Sequence, residues 1–282
     1  MTRKFHDKAV NGLCIRVWEG SSDKSLIMLH GIGSNKSSFN TLADAMPENW
    51  NLIAWDAPGY GGSVNLSEPF PDAGNYAKKL YLLLSELNLP MPILLGHSLG
   101  TLIAARFARD YPQTISGLIL LASAQGHDQP KGQLSVAAKS RLNELDRLGS
   151  NEFAKSRAER LMYQPKKQPE VQLAIVEAMA KIRRQGYAQA VHMLAQGNLK
   201  TDASQLRFPS LVIVGDKDII TPPIQSQIAH QALSASSNEL PHIFHQVTDA
   251  GHAVHQQYPK KVVAGIIEFE NQCNACLEKV CP

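Results

Sequence analysis

The segment Gly96-His97-Ser98-Leu99-Gly100 constrains this chain more than any other feature. It has the pattern Gly-x-Ser-x-Gly, follows a short apolar run at 91–95, and precedes a helical segment that ends before Pro112. Side chains at the two glycine positions would block a tight turn between strand and helix. Such a turn lifts the serine to the carboxyl edge of the sheet and points the helix N-terminus toward it. The pattern therefore predicts Ser98 as a candidate nucleophile.

Alternation of apolar runs and amphipathic segments predicts the fold class. Segments typical of strands, most of them near-continuous apolar runs, lie at 25–30, 51–56, 91–95, 117–122, 209–214 and 242–247. Segments with helical spacing separate most of them, near 39–46, 73–88, 101–111, 223–233 and 259–275. An alternating segment at 13–18 predicts an early antiparallel strand. We expect an α/β fold with a mainly parallel, twisted sheet and helices on both faces.

The stretch 125–204, here called the helical insertion, departs from this alternation because it contains no convincing strand. Helical pieces are predicted near 134–148, 151–163, 169–184 and 187–196. Residues 1–124 and 205–282 are therefore expected to form one core that the insertion interrupts. Its apolar side chains are candidates for an apolar pocket, although ordinary helix packing would use them equally well: Leu142, Leu145, Phe153, Leu161, Met162, Met179 and Met193.

The composition is ordinary for a soluble globular enzyme. The 282 residues carry a formal net charge of +3, with 44% hydrophobic and 19% charged residues. This charge is too small to predict a nucleic-acid partner, and no basic stripe supports one. No run of 18 apolar residues predicts a membrane span, and no signal peptide is readable. We therefore expect a cytoplasmic protein, either a monomer or a homodimer.

Cysteines and histidines near the C-terminus raise the question of a metal site. Three of the four cysteines cluster there, Cys273, Cys276 and Cys281, and the first two are spaced as C-x-x-C. A zinc site would need further ligands. Free thiols are the simpler interpretation, and metal binding or an intermolecular disulfide stays open. His245 and His255 lack ligands at metal spacing and are interpreted as surface or pocket-lining residues. We expect no metal and no cofactor.

An acid and a histidine follow two late strands, as serine catalysis requires. A serine hydroxyl is a poor nucleophile until a histidine, held in one tautomer by a carboxylate, takes its proton. The strand at 209–214 is followed by Gly215-Asp216-Lys217-Asp218, and the strand at 242–247 precedes Gly251-His252. Ser98, Asp218 and His252 thus form a candidate catalytic triad in the chain order Ser, Asp, His. Asp216 is the weaker candidate for the carboxylate.

These segments resemble those of α/β-hydrolases of the serine esterase, lactonase and C–C hydrolase type. The segments that carry the resemblance are His30-Gly31-Ile32-Gly33, Asp56-Ala57-Pro58-Gly59-Tyr60-Gly61-Gly62-Ser63, Gly96-His97-Ser98-Leu99-Gly100, Gly215-Asp216-Lys217-Asp218 and Gly251-His252. The resemblance extends over nearly the whole chain. It implies that the helical insertion is a cap, or lid, over the active site.

The resemblance assigns roles by position. It implies that Ser98 is the nucleophile, that Asp218 orients the histidine, and that His252 acts first as general base and then as general acid. It also implies an oxyanion hole made by two backbone N–H groups, that of Leu99 after the nucleophile and that of Ile32 within the His-Gly-x-Gly turn.

Three neighbouring residues are expected to support the site. His30 should shape the oxyanion turn, and His97 should pack and hydrogen-bond locally. Asp56 ends a strand and should fix the Gly/Pro-rich loop that follows it.

The family resemblance leaves more than one function open. The main expectation is hydrolysis of a small or medium carboxylic ester, lactone or related carbonyl substrate through an acyl-enzyme. Ser98 excludes the dehalogenase and epoxide-hydrolase members, which carry Asp at that position. C–C hydrolases of ring-fission products share the Asp-x-Pro-Gly-x-Gly-x-Ser loop and remain an alternative, although Gly33-Ser34-Asn35 and Leu99 depart from their usual residues. A non-catalytic ligand receptor with this fold is another alternative, and cofactor-free perhydrolysis is a conceivable side activity.

Overall fold

A mainly parallel β-sheet organises the chain. The computed structural model describes residues 2–237 and 239–280. Its strands are β1 (His6–Val10), β2 (Leu13–Trp18), β3 (Ser25–Leu29), β4 (Asn51–Trp55), β5 (Ile93–His97), β6 (Gly117–Leu121), β7 (Ser210–Gly215) and β8 (His242–Val247). The described strands pair in the order β1-β2-β4-β3-β5-β6-β7-β8. The β1–β2 and β2–β4 pairs are antiparallel and the other pairs are parallel, which confirms the predicted fold class.

Burial explains which strands the sequence reveals. Every residue of β3, β5, β6 and β7 is buried, because helices cover both faces of these central strands. Strand β1 lies at the edge and is almost entirely exposed. Its sequence, His-Asp-Lys-Ala-Val, therefore shows no apolar pattern, and the sequence analysis did not find it.

Helices cover both faces of the sheet, and further helices lie in the insertion between β6 and β7. They are α1 (Asn40–Ala45), α2 (Ala73–Leu87), α3 (Leu99–Asp110), α4 (Val136–Ala158), α5 (Pro169–Met179), α6 (Arg184–Gln196), α7 (Leu199–Ala203), α8 (Pro223–Ser236), α9 (Val254–Gln257) and α10 (Pro259–Val280). Leu94 of β5 joins the core cluster with α2 and α3, whereas its neighbours Ile93 and Leu95 join the cluster with α1 and α10. Successive strand residues thus point to opposite layers.

Helices α4 to α7 make up the helical insertion between β6 and β7. The only β-pairing described within it is an isolated bridge between Gly126 and Asn198. Helix α4 changes direction at Gly149, whose φ of 70° and ψ of 166° are not helical. This is where the sequence predicted a break between two helical pieces.

Two further findings concern membrane-spanning helices and metal ligands. Among the described residues, no helix combines the length and apolarity needed to cross a bilayer. No group of three or more His, Cys, Asp or Glu side chains in that part of the chain is arranged to hold a metal ion. The Cys276 side chain and Cys281 lie outside the described residues, so the interpretation of the C-terminal cysteines stays a prediction.

Candidate active site

Ser98 occupies a strained turn between β5 and α3. Its φ of 53° and ψ of −116° lie outside the regions that L-residues favour, which costs on the order of 1–3 kcal/mol. The Ser98 N–H donates to the carbonyl of Leu121 at 2.9 Å, and the Ser98 carbonyl accepts from the Thr101 N–H at 2.9 Å. These bonds hold the strained conformation from the neighbouring strand and from the first turn of the helix.

Close backbone packing explains the two glycines of the turn. A Cβ added to Gly96 would lie 2.3 Å from the carbonyl oxygen of Gly100. A Cβ added to Gly100 would lie 2.3 Å from the carbonyl oxygen of Leu29. Both distances are far below van der Waals contact, so the spacing Gly-x-Ser-x-Gly is what allows α3 to start directly over the ends of β3 and β5.

Asp218 and His252 meet at the same edge of the sheet as Ser98. They follow β7 and β8, which run parallel to β5, so all three loops emerge at the carboxyl ends of the strands. His252 Nδ1 lies 2.8 Å from Asp218 Oδ2. Because a carboxylate only accepts, Nδ1 carries the proton in the neutral ring, and Nε2 keeps its lone pair. His252 and Ser98 line one cavity, but Ser98 Oγ makes no hydrogen bond to His252 or to any other described residue.

The Asp218 carboxylate is buried and fully hydrogen-bonded. Burial acts to raise its pKa, but the charge and hydrogen bond of His252 and the N–H groups of Thr221 and Ile220 outweigh burial, so the pKa lies below its ordinary value. The N–H donors are 3.0 and 2.8 Å from Oδ1, and the Thr221 hydroxyl lies 2.9 Å from Oδ2. Asp218 is thus held as an anion beside the imidazole. The sequence analysis did not single out Thr221, because a threonine after a strand has many structural uses.

Asp216, the weaker carboxylate candidate, has other partners. Its Oδ1 accepts from the Asp249 N–H at 2.7 Å, and its Oδ2 lies 3.1 Å from Lys217 Nζ. No hydrogen bond joins it to His252. The structure therefore favours Asp218 as the partner of the histidine.

Ile32 and Leu99 carry the two backbone N–H groups that the family resemblance predicts as oxyanion donors. Ile32 and Leu99 both line the cavity space around Ser98. Neither N–H donates to another described residue. His30 stabilises the turn that carries Ile32, since its Nδ1 donates to the Gly31 carbonyl at 2.8 Å and its Nε2 accepts from the Ala57 N–H at 3.0 Å. This is the supporting role expected for His30.

Asp56 performs the expected supporting role in the loop after β4. Its side chain accepts hydrogen bonds from the Lys36 N–H at 3.0 Å and from Lys36 Nζ at 2.7 Å. Its Oδ2 also accepts from the Gly62 N–H at 3.4 Å, and its carbonyl accepts from the Ser63 hydroxyl at 2.6 Å. The buried carboxylate therefore connects the loop to the segment after β3.

Two more histidines form a buried cluster with His252. His97 Nε2 donates to the His252 carbonyl at 3.0 Å, which supports the backbone that carries the candidate base. The ring of His255 lies 4.4 Å from that of His97, centroid to centroid. The interpretation of His255 as a surface or pocket-lining residue is wrong, because its side chain is fully buried and lines neither cavity at the site. His245 is partly exposed, 3.3 Å from Glu268.

Two adjoining cavities meet at Ser98 in the described part of the chain. The first has an empty volume of about 740 Å³ and includes His252 and Gly31 in its wall. The second has an empty volume of about 1400 Å³ and includes Leu99 and Gln125. The side chains or backbone of five residues line both cavities: Ile32, Ser98, Arg141, Arg157 and Ile220.

The cavity walls differ from the apolar pocket expected from the sequence. Of the seven apolar candidates, Leu161 and Met179 line the first cavity. The others are buried in packing. Four belong to the core cluster that includes α2 and α3, namely Leu142, Leu145, Phe153 and Met193, and Met162 belongs to a smaller cluster with Val171, Ile175 and Ala253. Arg141 and Arg157 line both cavities, and neither was among the candidates, because arginines on an amphipathic helix usually face solvent.

Comparison with known proteins agrees with this architecture. A pimeloyl-[acyl-carrier protein] methyl ester esterase of Neisseria meningitidis is 28% identical over 221 residues, which cover 76% of this chain and 82% of that protein. The structure of an esterase from Thermogutta terrifontis is similar with a TM-score of 0.78 and 23% identity, covering 96% of this chain and 99% of that one. The enol-lactonase from Burkholderia xenovorans LB400 is similar with a TM-score of 0.80 and 19% identity, covering 94% and 100%.

The extent of the sequence match establishes the family of this chain. The sequence model of the alpha/beta hydrolase fold matches residues 24–257, which include the serine turn and the loops after β7 and β8. The sheet order and the position of the helical insertion agree with that match. The chain therefore belongs to the alpha/beta hydrolase fold family.

Proposed function

We propose that this chain is a serine hydrolase that cleaves a carboxylic ester or lactone of small to medium size through an acyl-enzyme. The observation that carries the proposal is the shared cavity of Ser98 and His252, with His252 Nδ1 bound to the buried Asp218. The names of the similar proteins, two esterases and an enol-lactonase, support the same reaction class.

Acylation begins with the hydroxyl of Ser98. His252 Nε2 accepts the hydroxyl proton while Ser98 Oγ attacks the carbonyl carbon of the substrate. The Asp218 carboxylate stabilises the imidazolium that forms and keeps the ring oriented. The negative charge that develops on the substrate oxygen is stabilised by the N–H groups of Ile32 and Leu99. Loss of one such donor typically costs about 3 kcal/mol of barrier.

Deacylation reuses the same groups. Before deacylation, His252 completes acylation by giving its proton to the leaving oxygen, which breaks the ester bond and leaves the acyl group on Ser98. A water molecule then attacks the acyl carbon while His252 takes one of its protons. Return of that proton to Ser98 Oγ releases the acid and restores the resting state.

The helical insertion, residues 125–204, acts in this proposal as a cap. Supporting this role, Arg141 and Arg157 of α4 line both cavities, and Met179 of α5 lines the first. A site enclosed between cap and sheet suits a small or medium substrate better than a polymer.

The proposal is tested with p-nitrophenyl butyrate and a fluorophosphonate probe. The wild-type protein is expected to hydrolyse the ester and to be labelled by the probe, and Ser98→Ala is expected to abolish both. Ser123→Ala is a matched control, because Ser123 is also buried beside the sheet, its Oγ has no hydrogen-bond partner among the described residues, and it lines neither cavity.

The same experiment separates the alternative functions. Neither turnover nor labelling of the wild-type protein would favour a ligand receptor. Equal turnover by wild type and Ser98→Ala would show that another group performs the reaction. A panel of esters, lactones and a ring-fission dienoate, ranked by kcat/KM, distinguishes ester hydrolysis from C–C hydrolysis, since faster cleavage of the dienoate would reverse the assignment.

A further inference from the structure

The cavities at Ser98 carry positive charge on their walls. Arg141 and Arg157 line both cavities, and Arg160 lines the first. Among the described residues that line either cavity, there is no aspartate or glutamate. A substrate that enters this space therefore meets guanidinium groups with no competing carboxylate on the wall.

We propose that the substrate carries a carboxylate in addition to its ester group, and that Arg141 binds this carboxylate while Ser98 attacks the ester. The preferred substrates are then monoesters of dicarboxylic acids or lactones that bear a carboxylate. This inference rests on the proposed function, because it specifies the substrate class of the same site.

Arg141 is a charged group without a protein counter-ion. It is half-buried, and it makes no hydrogen bond or ion pair with any described residue. A guanidinium group has five N–H donors in a planar fork that matches a carboxylate. An exposed arginine without a partner is common, but Arg141 is half-buried and lines the same two cavities as Ser98.

Arg157 is held in place by its own partners. It forms an ion pair with Glu144, and its guanidinium carbon lies 4.6 Å from the centroid of the Phe153 ring. The ion pair joins the two arms of α4 on either side of Gly149. Glu144 therefore offsets the charge of Arg157 and leaves Arg141 as the uncompensated charge shared by both cavities. Arg160 lines only the first cavity and is exposed, so solvent screens its charge, and Arg141 is the charge best placed to bind a carboxylate.

Tyr187 supplies a neutral donor next to these arginines. It lines the first cavity and is buried, and its hydroxyl makes no hydrogen bond to any described residue. Burial raises the pKa of this hydroxyl, against the opposing charges of Arg141 and Arg157, so the group stays protonated and can donate. An arginine fork and a phenol together provide the donors that a carboxylate requires.

The test compares matched pairs of p-nitrophenyl esters that differ in one terminal group. The monoesters of adipic, suberic and sebacic acid carry a distal carboxylate, and the hexanoate, octanoate and decanoate esters are their neutral counterparts. Shorter dicarboxylic monoesters are unsuitable because they hydrolyse spontaneously through cyclic anhydrides. The measured quantity is the ratio of kcat/KM for the charged ester to that for the neutral ester at each chain length.

The decisive variant is Arg141→Gln. Arg141 has no ion-pair partner that the substitution would leave buried and unpaired. Arg147→Gln is the matched control, because Arg147 lies on the same helix, is exposed, and lines neither cavity. Arg141→Lys keeps the charge but loses the fork, and serves as the conservative variant.

The expected result is a wild-type ratio of about ten or more for at least one chain length. Arg141→Gln should lower that ratio by about 10- to 100-fold, as expected for a hydrogen-bonded charged group, and Arg141→Lys should restore part of it. Arg147→Gln should give the wild-type ratio.

Several results would overturn the inference. A preference for the neutral ester at every chain length would do so, as would the same ratio in wild type and Arg141→Gln. An equal drop of the ratio in Arg147→Gln would show a general effect of net charge instead of binding at Arg141. In these cases, turnover of neutral esters that depends on Ser98 would leave the proposed function intact. No turnover of any ester and no fluorophosphonate labelling would reject both.

Discussion

Replacement of His255 by leucine is expected to make the fold less sensitive to acid. The His255 side chain is fully buried and packs against Phe39 and His97, with ring centroids 5.1 and 4.4 Å away. Neither ring nitrogen has a hydrogen-bond partner among the described residues. Burial, together with the charge of His252, lowers the pKa of His255 to about 3. The folded protein thus keeps this ring neutral under conditions in which an unfolded chain protonates it.

The size of the effect follows from the difference in proton binding. The pKa of His255 is lower in the folded state than the value of about 6.5 in an unfolded chain, so its contribution to stability is fully present above pH 6.5 and is lost as the pH falls toward the folded value. At pH 5 the unfolded chain has gained a proton here that the folded protein has not. This lowers the free energy of unfolding by about 2 kcal/mol relative to pH 8.

Urea unfolding at pH 8 and pH 5 measures this difference. The loss of unfolding free energy between the two pH values should be about 2 kcal/mol smaller in His255→Leu than in the wild type. His97 remains in both proteins, and its pKa is lowered first by burial and next by His255, so any rise of that pKa in the variant reduces the acid sensitivity in the same direction. The control is His6→Gln, at an exposed histidine of the edge strand. Equal acid sensitivity in wild type and His255→Leu would refute the assigned burial of a neutral ring.

Three further predictions concern the site and the helical insertion. Asp218→Asn should lower kcat for p-nitrophenyl butyrate by about 10³- to 10⁴-fold, because the amide cannot stabilise the imidazolium; a loss below tenfold in steady-state assays would argue against its role. Gly31→Ala would place a Cβ 3.0 Å from Ser98 Cβ and 3.2 Å from His97 Nδ1. Because this contact should displace Ser98, kcat should fall by about tenfold or more, and an unchanged kcat would show that the new methyl group does not displace it. Gly149→Ala meets nothing within 4 Å of its new Cβ, so backbone strain alone should reduce the urea-derived unfolding free energy by about 1–3 kcal/mol; no change would mean that α4 can straighten there.

The parts of the fold predicted best are those with a strong local reason. The buried strands β5 and β7 show continuous apolar runs because both faces are covered, and the serine turn needs glycines where the backbones touch. Asp218 and His252 follow consecutive parallel strands, so both lie at the same edge of the sheet. Once a parallel sheet is predicted, the sequence alone therefore predicts that these two residues are close. Strand β1 escaped prediction because its residues face solvent and its pairing depends on β2, not on its own pattern.

Cavity walls and buried polar residues could not be read from the sequence. Whether Arg141 faces solvent or the cavity depends on how α4 lies over the sheet, which its own spacing does not encode. His255 looks like any other histidine near a terminal helix, and its burial depends on Phe39 from a distant segment. Apolar residues such as Phe153 were equally compatible with a pocket and with helix packing, and the structure uses Phe153 for packing.

The proposed catalytic groups and the arginines on the cavity walls come from separate stretches of chain. The hydroxyl, the imidazole and the carboxylate are carried by loops after β5, β8 and β7, whereas the guanidinium groups all belong to the single stretch between β6 and β7. Recombination at the two ends of this stretch would therefore exchange all of these arginines together and leave Ser98, Asp218 and His252 in place. If the proposed function is correct, substrate preference in this architecture can change while the proposed catalytic residues stay the same.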